Sequence, residues 1–153
     1  MKVRHREPTD LPVVKAFLAD NHSTRVARLG RMAYPLDHPA LLAETDDGTF
    51  AGLLTYVPDP DDGSCEILTL QAVNQGQGAG TALISAVERV AAEQGIRRLW
   101  LITTNDNVDA LRFYRGAASG SRTYAWAAST SAEPGSSRRS PRSATTAFRF
   151  ATR

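Results

Sequence analysis

Between an apolar stretch that ends at Val73 and an amphipathic stretch that begins near Gly80 lies the segment Gln75-Gly76-Gln77-Gly78-Ala79-Gly80. Three glycines in six residues punctuate the chain, so the local order reads strand, loop, helix. The first turn of a helix carries backbone N–H groups without helical partners and the positive end of the helix dipole. Glycines let an anion approach those groups closely. The loop is therefore suited to a pyrophosphate.

The flanking elements follow from periodicity. Ser64 to Val73 reads as a strand. The helix runs from about Gly80 to Gln94, with Leu83, Ile84, Val87, Val90 and Ala91 on one face and Gly95 at its C-terminal cap. Leu99 to Thr104 reads as a buried strand, and Asn105 or Asn107 can cap a further helix through Val108, Leu111 and Tyr114. A strand–helix–strand unit of this kind forms a right-handed crossover in an α/β sheet. Upstream, Val3 to Arg6 is a short strand. Thr9 or Asp10 caps a helix from Leu11 that shares Val13, Val14, Phe17 and Leu18 on one face and ends at Asn21. Between His22 and His38, the recurrence of Arg25, Arg28 and Arg31 predicts a second, broken helix, whose arginines either meet an acidic substrate or form a solvated face. Ala40 to Glu44 and Phe50 to Val57 flank Asp46-Asp47-Gly48 and read as a β-hairpin. The segment from Pro58 to Gly63 reads as a loop.

With 153 residues and 42% hydrophobic content, the chain suits one compact domain. No apolar run approaches ~20 residues, so no membrane span is expected. The N-terminus lacks the apolar stretch of a secretory signal, which predicts a cytoplasmic protein. One cysteine, Cys65, excludes an intramolecular disulfide and a thiolate cluster, and reads as a small buried hydrophobe. His5, His22 and His38 have no metal-like spacing, so no metal is expected.

Several families place glycines ahead of a helix. A Walker A loop needs Lys followed by Ser or Thr, which are absent here. A dinucleotide loop needs a different glycine spacing and an acid ~20 residues on, where the chain instead has the apolar Leu99 to Leu101. A bland turn before a helix is the remaining alternative. The pattern Gln/Arg-x-x-Gly-x-Gly/Ala is met by Gln75, Gly78 and Gly80. It is followed after the next strand by Asn105-Asp106-Asn107-Val108-Asp109-Ala110-Leu111-Arg112-Phe113-Tyr114. Together these motifs resemble the GNAT (GCN5-related) N-acetyltransferase family over residues 1–115.

The resemblance implies an α/β fold with a mixed, mostly antiparallel sheet flanked by helices. Its order is strand, two helices, three-stranded meander, helix, strand, helix. It implies transfer of an acetyl group from acetyl-CoA to a primary amine of a small molecule or peptide by direct attack. Acetyl-CoA is expected between the strands at Ile67–Val73 and Leu99–Thr104, which splay apart in this family. Backbone groups of Leu70, Ala72 and Val73 are expected to hold the pantetheine arm and acetyl group. Those of Gln75, Gly76, Gln77, Gly78, Ala79, Gly80 and Thr81 are expected at the pyrophosphate. Asn107 is expected at the pantetheine arm, and Phe113 near the adenine or in the helix core. Tyr114 matches the tyrosine that protonates the leaving thiolate, with a packed helix aromatic as its alternative. Glu66 is a candidate general base acting through water, with a solvated strand residue as its alternative. The family often forms homodimers.

From Gly116 the composition changes. Residues 116–153 hold 9 Ala, 8 Ser, 6 Arg and 5 Thr, with no Leu, Ile or Val. The net charge is −3 over residues 1–115 and +5 beyond them. Such a segment buries little apolar surface and is expected to be irregular, leaving the sheet without its last two strands and the Leu99–Thr104 strand as an exposed edge. Arg, Ser, Ala, Gly and Thr are also what GC-rich coding DNA yields out of frame, and 16 Arg against 2 Lys fit such a gene. Shifted by one base, Ala118-Ser119-Gly120-Ser121 permits Gly-Phe-Arg-Leu, the continuation typical of the family. A one-base slip near Arg115 to Ala117 would account for the tail. It also opens a second functional reading, a non-catalytic acetyl-CoA-binding or structural remnant. A nucleic-acid binder using the Arg-rich tail is disfavoured, since only Tyr124, Trp126, Phe148 and Phe150 could stack there and no recognition motif is present.

Overall fold

The structure is a computed structural model. It describes residues 1–28 and 31–104 and the strands at 124–129 and 145–151; side chains are described over 1–27 and 31–101. The chain runs β1 (Lys2–His5), α1 (Leu11–Asp20), β2 (Val26–Arg28), β3 (Arg31–Ala33), β4 (Ala40–Glu44), β5 (Phe50–Asp59), β6 (Ser64–Ala72), α2 (Ala79–Glu93), β7 (Arg98–Thr104), β8 (Tyr124–Ser129) and β9 (Thr145–Ala151). Seven strands form one sheet in the order β1-β4-β5-β6-β7-β9-β8, while β2 and β3 form a separate hairpin. All pairings in the large sheet are antiparallel except β6 with β7, which are parallel and joined through α2. This is the crossover expected from the sequence.

Two apolar clusters cover the two faces of the sheet. One joins Leu83, Ile84, Val87 and Ala91 of α2 to Leu41, Leu54, Tyr56, Cys65, Ile67, Leu99 and Leu101. The other joins Val14 and Leu18 of α1 to Ala40, Leu42 and Leu53. Val13, expected on the same face as Val14, is 43% exposed. The end of α2 follows from Gly95, whose φ of +71° only glycine adopts cheaply. It lets Ile96 N–H reach the Ala91 carbonyl and Gly95 N–H the Ala92 carbonyl, the bond pair that closes a helix. Buried Ile96 then leads the chain straight into β7.

Helix α1 is held at both ends by side chains. At its start, Asp10 accepts bonds from Arg4 at 2.7 and 2.9 Å and from Glu7 N–H at 2.7 Å. Arg4 also donates to Glu44 on β4 at 2.7 Å. At its end, Ser23 accepts a bond from Gln71 of β6 at 2.6 Å.

Two expectations differ from the structure. The second helix between His22 and His38 is instead the β2–β3 hairpin, with Arg28 opposite Arg31. Arginines spaced by three give no apolar stripe, and without a stripe to bury the helix has no tertiary support. Pro58 lies within β5 and not in a loop. By that point β4 has stopped pairing at Thr55, so only β6 flanks the proline. Beyond β7, β9 pairs with it over all seven residues, and β8 lies outside β9. The two segments are the tail's β-branched and aromatic stretches. Their register sets Tyr124 opposite Phe150 and Trp126 opposite Phe148, residue types that favour strands despite the poor composition around them.

Candidate active site

The site is set by what β6 does halfway along its length. It pairs with β7 from Ser64 to Ile67, opposite Arg98 to Leu101, and no further. Yet β6 continues to Ala72 and β7 to Thr104. The two parallel strands therefore part after the Ile67–Leu101 pair. The same position carries a bulge. Thr55 of β5 faces Thr69 while Tyr56 faces Ile67, so Leu68 is an extra residue in β6.

Among the described residues, the parting leaves backbone groups of β6 without a partner strand on the β7 side. Val73 N–H donates to the Ala51 carbonyl at 2.9 Å. In an antiparallel ladder the pairs that bond to each other alternate with pairs that do not, so Leu70 and Ala72 point their N–H and C=O groups away from β5 and into the split. Val73 spends its amide on Ala51 and presents a half-exposed side chain instead.

At the mouth of the split, 73–78 is exposed and α2 begins. Gly76 and Gly78 have φ of +79° and +87°, and a Cβ on either would meet open space. Gly78 is the N-cap of α2, and no side chain caps the helix. The first-turn amides of Ala79, Gly80 and Thr81 thus face an open, glycine-floored approach, as an anion site needs. Gln75 and Gln77 are exposed beside it.

The bulge also changes which side chains share a face. Cross-strand partners lie on one side of a sheet, so Cys65, Ile67, Leu70 and Ala72 look toward α2 with Leu54 and Tyr56. Glu66, Thr69 and Gln71 look the other way, toward α1, with Val57, Thr55 and Leu53. Glu66 is 4% exposed, flanked in register by Val57 and Trp100, so the solvated-strand alternative does not describe it. The hydroxyls of Thr55 and Thr69 bond to each other at 2.7 Å in full burial. Thr69 and Gln71 were not singled out by sequence reading. Their one available signal was being polar within an apolar strand. Asn107, Phe113 and Tyr114 lie outside the described residues. Cys65 is buried, and burial pushes its thiol up to about 12, which makes it inert packing. No group of His, Cys, Asp and Glu among the described residues could hold a metal ion.

Residues 13–117 match the acetyltransferase (GNAT) family. The chain belongs to this family. Among its relatives, YxbD of Bacillus subtilis, an uncharacterized protein, is 44% identical over 70 residues, covering 46% of this chain and 43% of the relative. Streptothricin acetyltransferase of Streptomyces lavendulae is 30% identical over 110 residues, covering 71% of this chain and 57% of the relative. The chain thus spans about half the length of the curated relatives it matches. Among solved structures, nourseothricin acetyltransferase superposes with a TM-score of 0.69 at 20% identity over 98% of this chain and 97% of that one, which establishes the GNAT fold. A Bacillus anthracis protein solved in complex with acetyl coenzyme A superposes with a TM-score of 0.58 at 12% identity, over 83% of this chain and 73% of that one.

Proposed function

We propose that this GNAT protein is an N-acetyltransferase that moves the acetyl group of acetyl-CoA to a primary amine of a small molecule or peptide, in the cytoplasm. The parting of β6 from β7 beside an uncapped, glycine-floored helix start carries the reading. It joins a slot of unpaired backbone groups to an anion site, the two things a long pantetheine arm ending in a pyrophosphate requires. Acetyl-CoA supplies the acetyl group as a thioester. Leu70 and Ala72 present backbone groups to the arm, and the amides from Gln75 to Thr81 receive the phosphates. Glu66 removes the proton of the incoming amine through water, and Tyr114 donates a proton to the leaving sulfur. Glu66 is buried on the α1 side of β6, opposite Val57, next to the place where β6 leaves β7. The streptothricin acetyltransferase relative supports a small-molecule amine as the acceptor.

Two measurements test this. Acetyl-CoA at about 100 times its Kd should add about 2.7 kcal/mol to the stability of the native state, seen as a raised Tm. Thiol release should then follow addition of streptothricin, spermidine, 2,4-diaminobutyrate or phosphinothricin. No Tm shift would remove the acetyl-CoA assignment. A shift without turnover of any amine would favour the second reading, a non-catalytic acetyl-CoA-binding remnant. The family match ends at residue 117, where the composition turns to Ala, Ser, Arg and Thr, and this favours a one-base slip as the origin of the tail. Resequencing of gene and transcript across Arg115 to Ala117 tests it, and an intact frame would refute it.

A further inference from the structure

The α1 side of β6 holds one buried oxygen, Oε1 of Gln71, that has no hydrogen-bond partner among the described residues. The orientation of this amide follows from its neighbour. The Ser23 hydroxyl donates to the Asn21 carbonyl at 3.0 Å, so it can offer Gln71 only lone pairs. Gln71 must therefore turn its NH2 group toward Ser23, and Nε2 does donate to Ser23 Oγ at 2.6 Å. The carbonyl oxygen is left on the opposite side. Ser23 is itself fixed, because its N–H bonds the Leu18 carbonyl at 2.8 Å, and Asn21 is tied by its side chain to the Phe17 carbonyl. The oxygen is thus held in place without a partner.

A buried acceptor left unpaired costs more than a made bond contributes, so a folded protein rarely keeps one without use. Its place suggests the use. Gln71 lies beyond Ile67, where β6 has left β7, and shares a face with Glu66 and Thr69. The Thr69 hydroxyl is bonded to Thr55. Glu66 and Gln71 face Val57 and Leu53, four residues apart on β5, so their Cα atoms are about 13 Å apart. A carboxyl group and an oriented carbonyl on one face, at that separation, are two sites able to accept hydrogen bonds from N–H groups.

We propose that Gln71 is a specificity-determining residue whose Oε1 accepts a hydrogen bond from a second N–H-bearing group of the acceptor, while the reacting amine lies toward Glu66. The acceptor class is then a di- or polyamine or an amine with a second N–H donor, and not a simple monoamine. This rests on the acetyltransferase reading above.

The test compares spermidine and 2,4-diaminobutyrate with butylamine, by thiol release and by calorimetry on CoA-loaded protein, for the native chain and Gln71→Met. The native chain should prefer one of the two-donor probes over butylamine by about tenfold or more. Gln71→Met should abolish that preference through KM or Kd of the acceptor, with KM for acetyl-CoA unchanged within about twofold. Should Gln71→Met fail to fold, Ser23→Ala, which frees the amide to turn, should weaken the same probe by about threefold or more. A Gln71→Met variant with unchanged acceptor KM overturns the proposal. So does a protein that binds acetyl-CoA but neither binds nor acetylates either two-donor probe. A chain that binds no acetyl-CoA overturns the acetyltransferase reading itself, a distinguishable result.

Discussion

The two faces of β6 are built by different means. Toward α2 the strand presents Cys65, Ile67, Leu70 and Ala72 to an apolar helix, and the split along its edge is lined by backbone. Toward α1 it presents Glu66, Thr69 and Gln71, so that face is made of polar side chains. Backbone sites tolerate many residues as long as the chain path is kept. Side-chain sites depend on which residue points where, and here a single inserted residue, Leu68, decides that. Under the proposed function, changes on the α2 side should act through stability, and changes on the α1 side through recognition of the acceptor.

The largest effect should come from the α2 side. Leu83 is fully buried between α2 and the sheet, and a Leu→Ala change in such a site costs about 2–5 kcal/mol through lost transfer energy and the cavity left behind. Leu83→Ala should lower the midpoint of denaturant unfolding accordingly, with an unchanged m-value. Gly52→Ala should be felt on both faces. A Cβ there would lie 2.8 Å from the main-chain carbonyl oxygen of Gln71 and 3.3 Å from Leu83 Cδ1, so β6 or Leu83 must shift. Overpacking of this kind costs about 1–3 kcal/mol. It should also raise the KM of the acceptor, because Gln71 moves. A loss of stability with acceptor KM intact would show that the two faces are less coupled than the geometry implies.

How much of this was legible beforehand divides along the same line. The loop at Gln75 to Gly80, the turn at Asp46-Asp47-Gly48 and the stop at Gly95 could be read from the sequence, because each is local chemistry: a positive φ that glycine adopts, or a helix end that needs closing. The α2 stripe was legible because its period is that of a helix. The bulge was not. Simple alternation puts Glu66 with Leu68 and Leu70 and sets Gln71 on the opposite face, and nothing in the local residues marks where the extra one enters. Its cause is the register between strands, a non-local quantity. The same holds for His22 to His38, where arginine spacing suggested a helix but pairing of Val26 with Ala33 made a hairpin.

A smaller effect separates polar groups that recognise from those that stabilise. The Thr55–Thr69 pair is buried and self-satisfied. Thr69→Val alone strands the Thr55 hydroxyl and should cost about 1–2 kcal/mol, whereas Thr55→Val with Thr69→Val removes both partners and should come close to neutral. A double-mutant cycle of unfolding free energies reads this directly. If the double variant is stable but slow with amines, the pair belongs to the acceptor site. If it is stable and fully active, the polar face divides into a structural pair and a recognising Gln71.

The smallest effect concerns the other anchor of α1. Gln71 holds the C-terminal end of that helix through Ser23, and Arg4 holds its start through Asp10. The Arg4 guanidinium, with the Glu7 amide, lowers the Asp10 carboxyl from 3.8 to about 2. The folded state thus binds this proton less readily than the unfolded chain. The anchor contributes fully above pH 3.8, and the contribution is lost as pH falls from there toward about 2. Asp10→Asn should flatten the acid limb of stability against pH in that window while leaving acceptor KM at neutral pH unchanged. Because Asp46 and Asp47 are lowered too, by the N-terminus and by Thr45 respectively, the variant is needed to assign the limb to α1. An acid limb identical in Asp10→Asn would mean that the helix start is held by packing of Val14 and Leu18 alone, and that the polar side of the sheet works only at its Gln71 end.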